Sequence, residues 1–194
     1  MQGHKSFTQT SLSGELDVSI GMVNKSVSKL KRFGAVRTGP RNFTVIDYRR
    51  ILLYWATIRN LERDVAYSTR VNLPVVEIER SLPDGVIFSA YTGTGLSFSE
   101  FPADYSEVWV YASEPLLVEL ERRFRKNNLP RNFIVLREDA KLQHSVRLFS
   151  KHPKSVSVPQ LYVDLWNTPT WYSKEFQGLI ERKMEESARG ILEQ

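Results

Sequence analysis

The stretch DVSIGMVNKSVSKLKRFG, Asp17 to Gly34, followed directly by AVRTGPRNFTVID, constrains this chain more than any other part. Ser19 is a good helix N-cap, because its hydroxyl accepts a hydrogen bond from a free backbone N–H at a helix start. Behind it, Ile20, Val23, Val27 and Leu30 recur at three- and four-residue steps and fall on one helical face. The opposite face carries Gly21, Asn24, Lys25, Ser28, Lys29 and Arg32. Gly34 follows the last basic residues and is a common helix stop. Alone, the pattern describes an ordinary amphipathic surface helix.

The flanking sequence narrows that reading. Ala35–Thr38 and Phe43–Ile46 are short strand-like runs rich in β-branched residues. Gly39-Pro40-Arg41-Asn42 between them is a turn. Upstream, Thr8 to Leu16 reads as a short helix with Thr8 or Thr10 as its cap. Helix, turn, helix and basic hairpin is the order of a winged helix-turn-helix. Small, amide and cationic side chains suit a DNA major groove. The expected DNA contacts are therefore Ser19, Gly21, Asn24, Lys25, Ser28, Lys29 and Arg32 on the recognition helix, and Arg37, Arg41 and Asn42 on the wing. Lys25, Lys29 and Arg32 would meet phosphates or guanines, and Asn24 an adenine edge. Arg37 or Arg41 would touch backbone or minor groove.

Charge supports this division. Residues 1–47 hold seven Lys/Arg against three Asp/Glu, residues 48–64 four against two, and residues 65–194 sixteen against seventeen. The basic excess lies in the first third, as phosphate binding requires. With 41% apolar and 25% charged residues the chain is globular. No apolar run approaches a membrane span, and the N-terminal stretch lacks a signal-peptide core. Zero cysteines fit a reducing cytoplasm, which is the expected location. Three widely spaced histidines, His4, His144 and His152, offer no metal site, and the residues call for no cofactor.

Residues 48–64 read as one uninterrupted helix capped by Asp47, linking residues 1–64 to a second domain of residues 65–194. In that domain Val71–Ile78 reads as a strand and Leu82-Pro83-Asp84-Gly85 as a turn. Val86–Tyr91 fits a strand or the start of a buried helix. Thr92-Gly93-Thr94-Gly95 lacks the spacing of a phosphate loop and fits a flexible turn or close helix packing. Glu107–Ala112, a helix from Ser113 with Leu116, Leu117, Leu120 and Phe124 inward, and Phe133–Leu136 form a strand–helix–strand unit. Val146–Phe149 reads as a further strand, and Lys151–Ser157 as a loop. Val158–Trp166 is a short helix placing Gln160 and Asp164 on one face. A last helix runs from Ser173 to about Leu192, with Phe176, Leu179, Ile180, Met184 and Ile191 apolar. The fold class is α+β: an N-terminal winged helix-turn-helix, a linking helix and an α/β C-terminal domain.

The segment Ser157-Val158-Pro159-Gln160-Leu161-Tyr162-Val163-Asp164-Leu165 resembles the S-P-x-QLYxDL segment of the AbiEi antitoxin family of type IV toxin–antitoxin systems. The strands EVWVYA and FIVL sit where that family places its α/β strands. NTPTWYSKEFQGL stands where members carry a Gly/Arg-rich stretch and an Ala-rich helix. The resemblance implies a repressor whose N-terminal domain binds repeats in its own promoter. It also implies a C-terminal domain that counters a nucleotidyltransferase-like toxin without a stable complex.

Two other readings stand beside this one. A metal-dependent nucleic-acid or nucleotide-processing enzyme would draw on Glu77 and Glu79, taken as one side of a strand, with Asp104, Glu107 and Asp164. No acid-x-Lys set or Ser–His–Asp set accompanies them, so the expectation is no catalytic residue and no enzyme. A ligand-sensing or assembling regulator would use the aromatic residues Tyr162, Trp166, Trp171 and Tyr172, which otherwise belong in a core. A homodimer would let two recognition helices read half-sites about one DNA turn apart.

Overall fold

The computed structural model describes residues 6–190 and has a mixed α/β fold with alternating helices and strands. It divides into two compact units, one up to Thr57 and one from Ile58 onward. Among the described residues no helix is long and apolar enough to cross a membrane.

In the first unit, β1 (Ser6–Phe7) precedes α1 (Gln9–Leu16) and α2 (Ile20–Arg32). Thr8 caps α1, its hydroxyl accepting from Ser11 N at 3.0 Å. Asp17 ends α1 in the left-handed region, φ 49°. That turn lets Val18 N reach Ser13 O at 3.1 Å and satisfies a carbonyl the helix leaves open. Ser19 then caps α2. β2 (Val36–Thr38) and β3 (Phe43–Val45) pair antiparallel, and β1 joins the far side of β3, giving the order β1-β3-β2. Val23, Val27, Val36 and Phe43 form the small core. Beside it opens an apolar cleft of about 430 Å³, lined by Leu12, Leu16, Met22, Val27, Phe43 and Ile51 among others. Ile20, expected on the core face, is half exposed.

The linking helix is shorter than expected. α3 spans Tyr48–Ile58, with Asp47 Oδ1 accepting from Arg50 N at 3.1 Å at its start. No Gly or Pro stops it. Instead Asn60 caps a separate 3-10 turn, Leu61–Asp64, accepting from Arg63 N at 3.3 Å. Arg59 turns into the second unit. The compact units thus part after Thr57, whereas the sequence reading drew the line after Asp64.

The second unit is built on a four-stranded sheet of order β4-β7-β6-β5. Its strands are β4 (Val65–Thr69), β5 (Ile87–Phe88), β6 (Val108–Ala112) and β7 (Phe133–Arg137). β6 and β7 are parallel, with α6 (Glu114–Arg123) as the crossover, while both outer strands pair antiparallel. One face packs on a core of Val108, Val110, Leu117, Leu120, Phe133 and Val135, with Ile78 and Val86.

Two expected strands are helices. Val71–Ile78 is not a strand: α4 spans Val75–Arg80, with Pro74 at its N-cap. Proline has no N–H to give a ladder and suits a helix start. Val146–Phe149 belongs to α7, Leu142–Phe149, where Leu142 and Val146, four apart, are both buried. Val86–Tyr91 is divided between β5 and α5 (Ala90–Phe98). Ala90 makes the corner at φ 44° with no exposed surface. Ala90 to Gly95 of α5 are buried, and Gly93 permits close packing: a Cβ there would stand 2.7 Å from Leu161 Cδ2 and 2.8 Å from Phe88 O. α8 (Val158–Trp166) and α9 (Ser173–Gly190) complete the unit. Phe176, Leu179 and Ile180 are buried. Ile191 and Leu192, expected in the last helix, lie outside the described residues.

Candidate functional site

The polar face of α2 is built by helical spacing. Gly21, Asn24, Lys25, Ser28, Lys29 and Arg32 are all exposed and recur at steps of three and four. Lys29, Lys31 and Arg32 crowd the last turn, where cations complement the negative end of the helix dipole. Lys31 is a further exposed cation that the sequence reading left out. Ser19 is occupied as a cap, its Oγ accepting from Met22 N at 3.2 Å. Asn24 donates from Nδ2 to Gln9 Oε1 at 3.2 Å. On the hairpin, Arg37 is exposed on β2 opposite Thr44, and Arg41 is exposed in the turn. Asn42 shapes the turn itself: its carbonyl accepts from Gly39 N at 2.7 Å. Its Oδ1 occupies the space a Cβ on Gly39 would need. The six positions from Gly21 to Arg32 therefore share α2, Ser19 caps it, and the hairpin carries the other three.

A second polar cluster lies inside the second unit. Asp164 on α8 is fully buried. Its Oδ2 accepts from Ser89 Oγ at 2.7 Å and from Tyr111 OH at 2.9 Å. The Tyr111 hydroxyl in turn accepts from Arg59 Nη2 at 2.9 Å and from Gln160 Nε2 at 3.1 Å. Arg59 Nη1 pairs with Asp64, and its Nε faces Asp164 Oδ1 at 3.5 Å. Neither of those facing atoms has another hydrogen bond. The shared face of Gln160 and Asp164 was legible from spacing. Ser89, Tyr111 and Arg59 were not, because the fold brings them from distant segments.

The electrostatics follow from burial. Desolvation raises the Asp164 pKa, against the opposing pull of Arg59, Ser89 and Tyr111. Burial and then the Asp164 charge push the Tyr111 phenol well above its ordinary value. At Arg59 burial works to lower the pKa, but Tyr111, Asp164 and Asp64 outweigh it, and the net shift is upward. The partners differ because the Arg59 side chain keeps 19% exposure and meets two carboxylates, while Asp164 keeps 1%. Such a cluster fastens four segments together, and its acid has no exposed surface.

The remaining carboxylates do not converge. Glu77 and Glu79 lie on α4, two residues apart on a helix rather than on one side of a strand. Glu77 is exposed, and Glu79 accepts from Thr92 Oγ1 at 2.6 Å and Tyr105 OH at 2.8 Å. Glu107 accepts from Trp109 Nε1 at 3.0 Å. Among the described residues no group of three or more His, Cys, Asp or Glu is placed to hold a metal ion. The aromatic residues divide: Tyr162 and Tyr172 are buried, but Trp166 is 44% and Trp171 76% exposed. No protein-family model, curated protein or solved structure matches this chain.

Proposed function

We propose that the chain is a sequence-specific double-stranded DNA-binding transcriptional regulator whose first unit is a winged helix-turn-helix. The observation that carries the reading is the exposed face of α2, where Asn24, Lys25, Ser28, Lys29 and Arg32 follow one another without an acid among them. The order β1-α1-α2-β2-β3, with a left-handed turn between the helices and basic residues on the hairpin, supports it. Phosphate contacts would set the register on the duplex and base-edge contacts the sequence.

In this reading the protein acts by binding rather than catalysis, in the cytoplasm, as an autorepressing antitoxin-like partner of a nucleotidyltransferase-like toxin. The QLYVDL segment supports that extension, since its Gln160 and Asp164 organise the buried cluster of the second unit. A homodimer would place two recognition helices on paired half-sites.

The test is binding of the purified protein to its own upstream region and to random duplex at two salt concentrations. Tight, salt-dependent binding that prefers the upstream region is expected. Equal weak binding to both duplexes would overturn the reading.

A further inference from the structure

Asn24 is not independent of its surroundings on the polar face of α2. Its hydrogen bond to Gln9 joins the fifth residue of α2 to the first residue of α1. A carboxamide offers two N–H donors and two lone pairs on its oxygen. Gln9 takes one N–H of Asn24. The second N–H and the oxygen belong to an exposed side chain. Those two groups match the major-groove edge of adenine, where N7 accepts and the N6 amine donates. A freely rotating Asn would present either end of its amide and would lose rotamer freedom on binding. The bond to Gln9 restricts that freedom beforehand.

The approach to this pair is open. A Cβ on Gly21, one turn before Asn24, would meet nothing nearer than Ser19 Oγ at 3.9 Å. Gln9 has an amide nitrogen of its own, with two N–H groups suited to a phosphate oxygen.

We propose that Gln9 and Asn24 act as one reading unit, in which Gln9 fixes the Asn24 carboxamide to recognise an adenine edge and donates its own amide to a neighbouring phosphate. The inference rests on the DNA-binding reading and adds to it a positioning residue from outside the recognition helix.

The test is selection of bound sequences from a randomised duplex pool by the full-length protein and by Asn24→Ala, Gln9→Ala and Gln9→Glu. Asn24→Ala is expected to erase an adenine preference at one position, a change of roughly tenfold. Gln9→Ala is expected to weaken the preference at that same position by roughly threefold or more. Gln9→Glu still accepts from Asn24 Nδ2, so it should keep the preference while its carboxylate repels the phosphate and weakens overall binding. Thermal melting of each variant separates these effects from loss of folding. A Gln9→Ala variant that folds and selects as the wild type does would overturn the unit. So would a Gln9→Glu variant that loses the preference. If the wild-type protein selects no sequence, the DNA-binding reading falls and the unit falls with it. If the wild type selects and only the Gln9 outcome fails, the DNA-binding reading stands alone.

Discussion

Arg59 Nε and Asp164 Oδ1 face each other at 3.5 Å inside the second unit, and each lacks any other hydrogen bond. The pair is a buried attraction set against a buried cost. Removing one partner of such a pair typically destabilises by about 3–5 kcal/mol, because the other charge stays behind. Here Asp64 also pairs with Arg59, and Ser89 and Tyr111 also serve Asp164.

The raised pKa of Asp164 has a signed consequence. The folded chain holds this proton more tightly than the unfolded chain, whose aspartates titrate near about 3.9. The resulting stability is fully present below that value and is lost as pH rises through the folded pKa. Asp164→Asn removes the titrating group. The stability of the wild type minus that of the variant is therefore expected to fall as pH rises from about 4. Urea unfolding across a pH series measures it. A difference that grows with pH would mean that Arg59 holds the carboxylate ionised.

Tyr111 is the hub of the cluster, so its hydroxyl is worth more than one bond. Tyr111→Phe leaves Arg59 Nη2 and Gln160 Nε2 without their acceptor and strips one donor from Asp164. The expected cost is about 2–4 kcal/mol, read from denaturant midpoints. A loss below about 0.5 kcal/mol would show that the surroundings readily replace the hydroxyl.

Two glycines should respond in opposite directions. Gly93→Ala drives a methyl against Leu161 and the Phe88 carbonyl. About 1–3 kcal/mol of stability should be lost. Gly14, in α1, has nothing within 4 Å of a built Cβ. Gly14→Ala should gain up to about 1 kcal/mol from helix propensity. Thermal melting compares the pair directly, and similar shifts of one sign would contradict the packing described for α5.

On the proposed DNA face, Lys25→Ala and Lys29→Ala are distinguishable by salt. A lysine meeting a phosphate, when removed, should flatten the plot of log affinity against log salt by about 0.9. A lysine reading a base should cost about 1–3 kcal/mol and relax the sequence preference. Titrations on specific and random duplex separate the two. Unchanged binding in both variants would move the contact face elsewhere.

The elements legible in the sequence were those whose local signals agree. Ser19 caps α2, and α8 begins at Val158 with Pro159 in its first turn. The parallel pair with its helical crossover also followed from pattern, since Val108–Ala112 and Phe133–Leu136 are apolar on both faces and buried. Where tertiary contacts overrule local preference, the reading failed. The valines after Pro74 favour a strand by type, yet Ile78 fits the core from a helix. The linking helix ends because Arg59 finds partners in the second unit and Asn60 caps a new turn, which a search for Gly or Pro cannot detect. The buried cluster was half visible: Gln160 and Asp164 share a helix face, but Ser89 and Tyr111 approach only through the sheet.

The sheet order also fixes a schedule for synthesis. In the first unit each strand meets its partner early, the widest pairing joining Ser6 to Thr44. In the second, Thr69 has its ladder partner in Phe133, so β4 has no neighbour until β7 has been made. At a ribosomal rate of roughly 5–20 residues per second, β4 waits several seconds with both edges open. Val65 to Thr69 is thus the segment most in need of shelter while the chain is being translated, and slowing translation between Thr69 and Phe133 would prolong its exposure to other nascent strands.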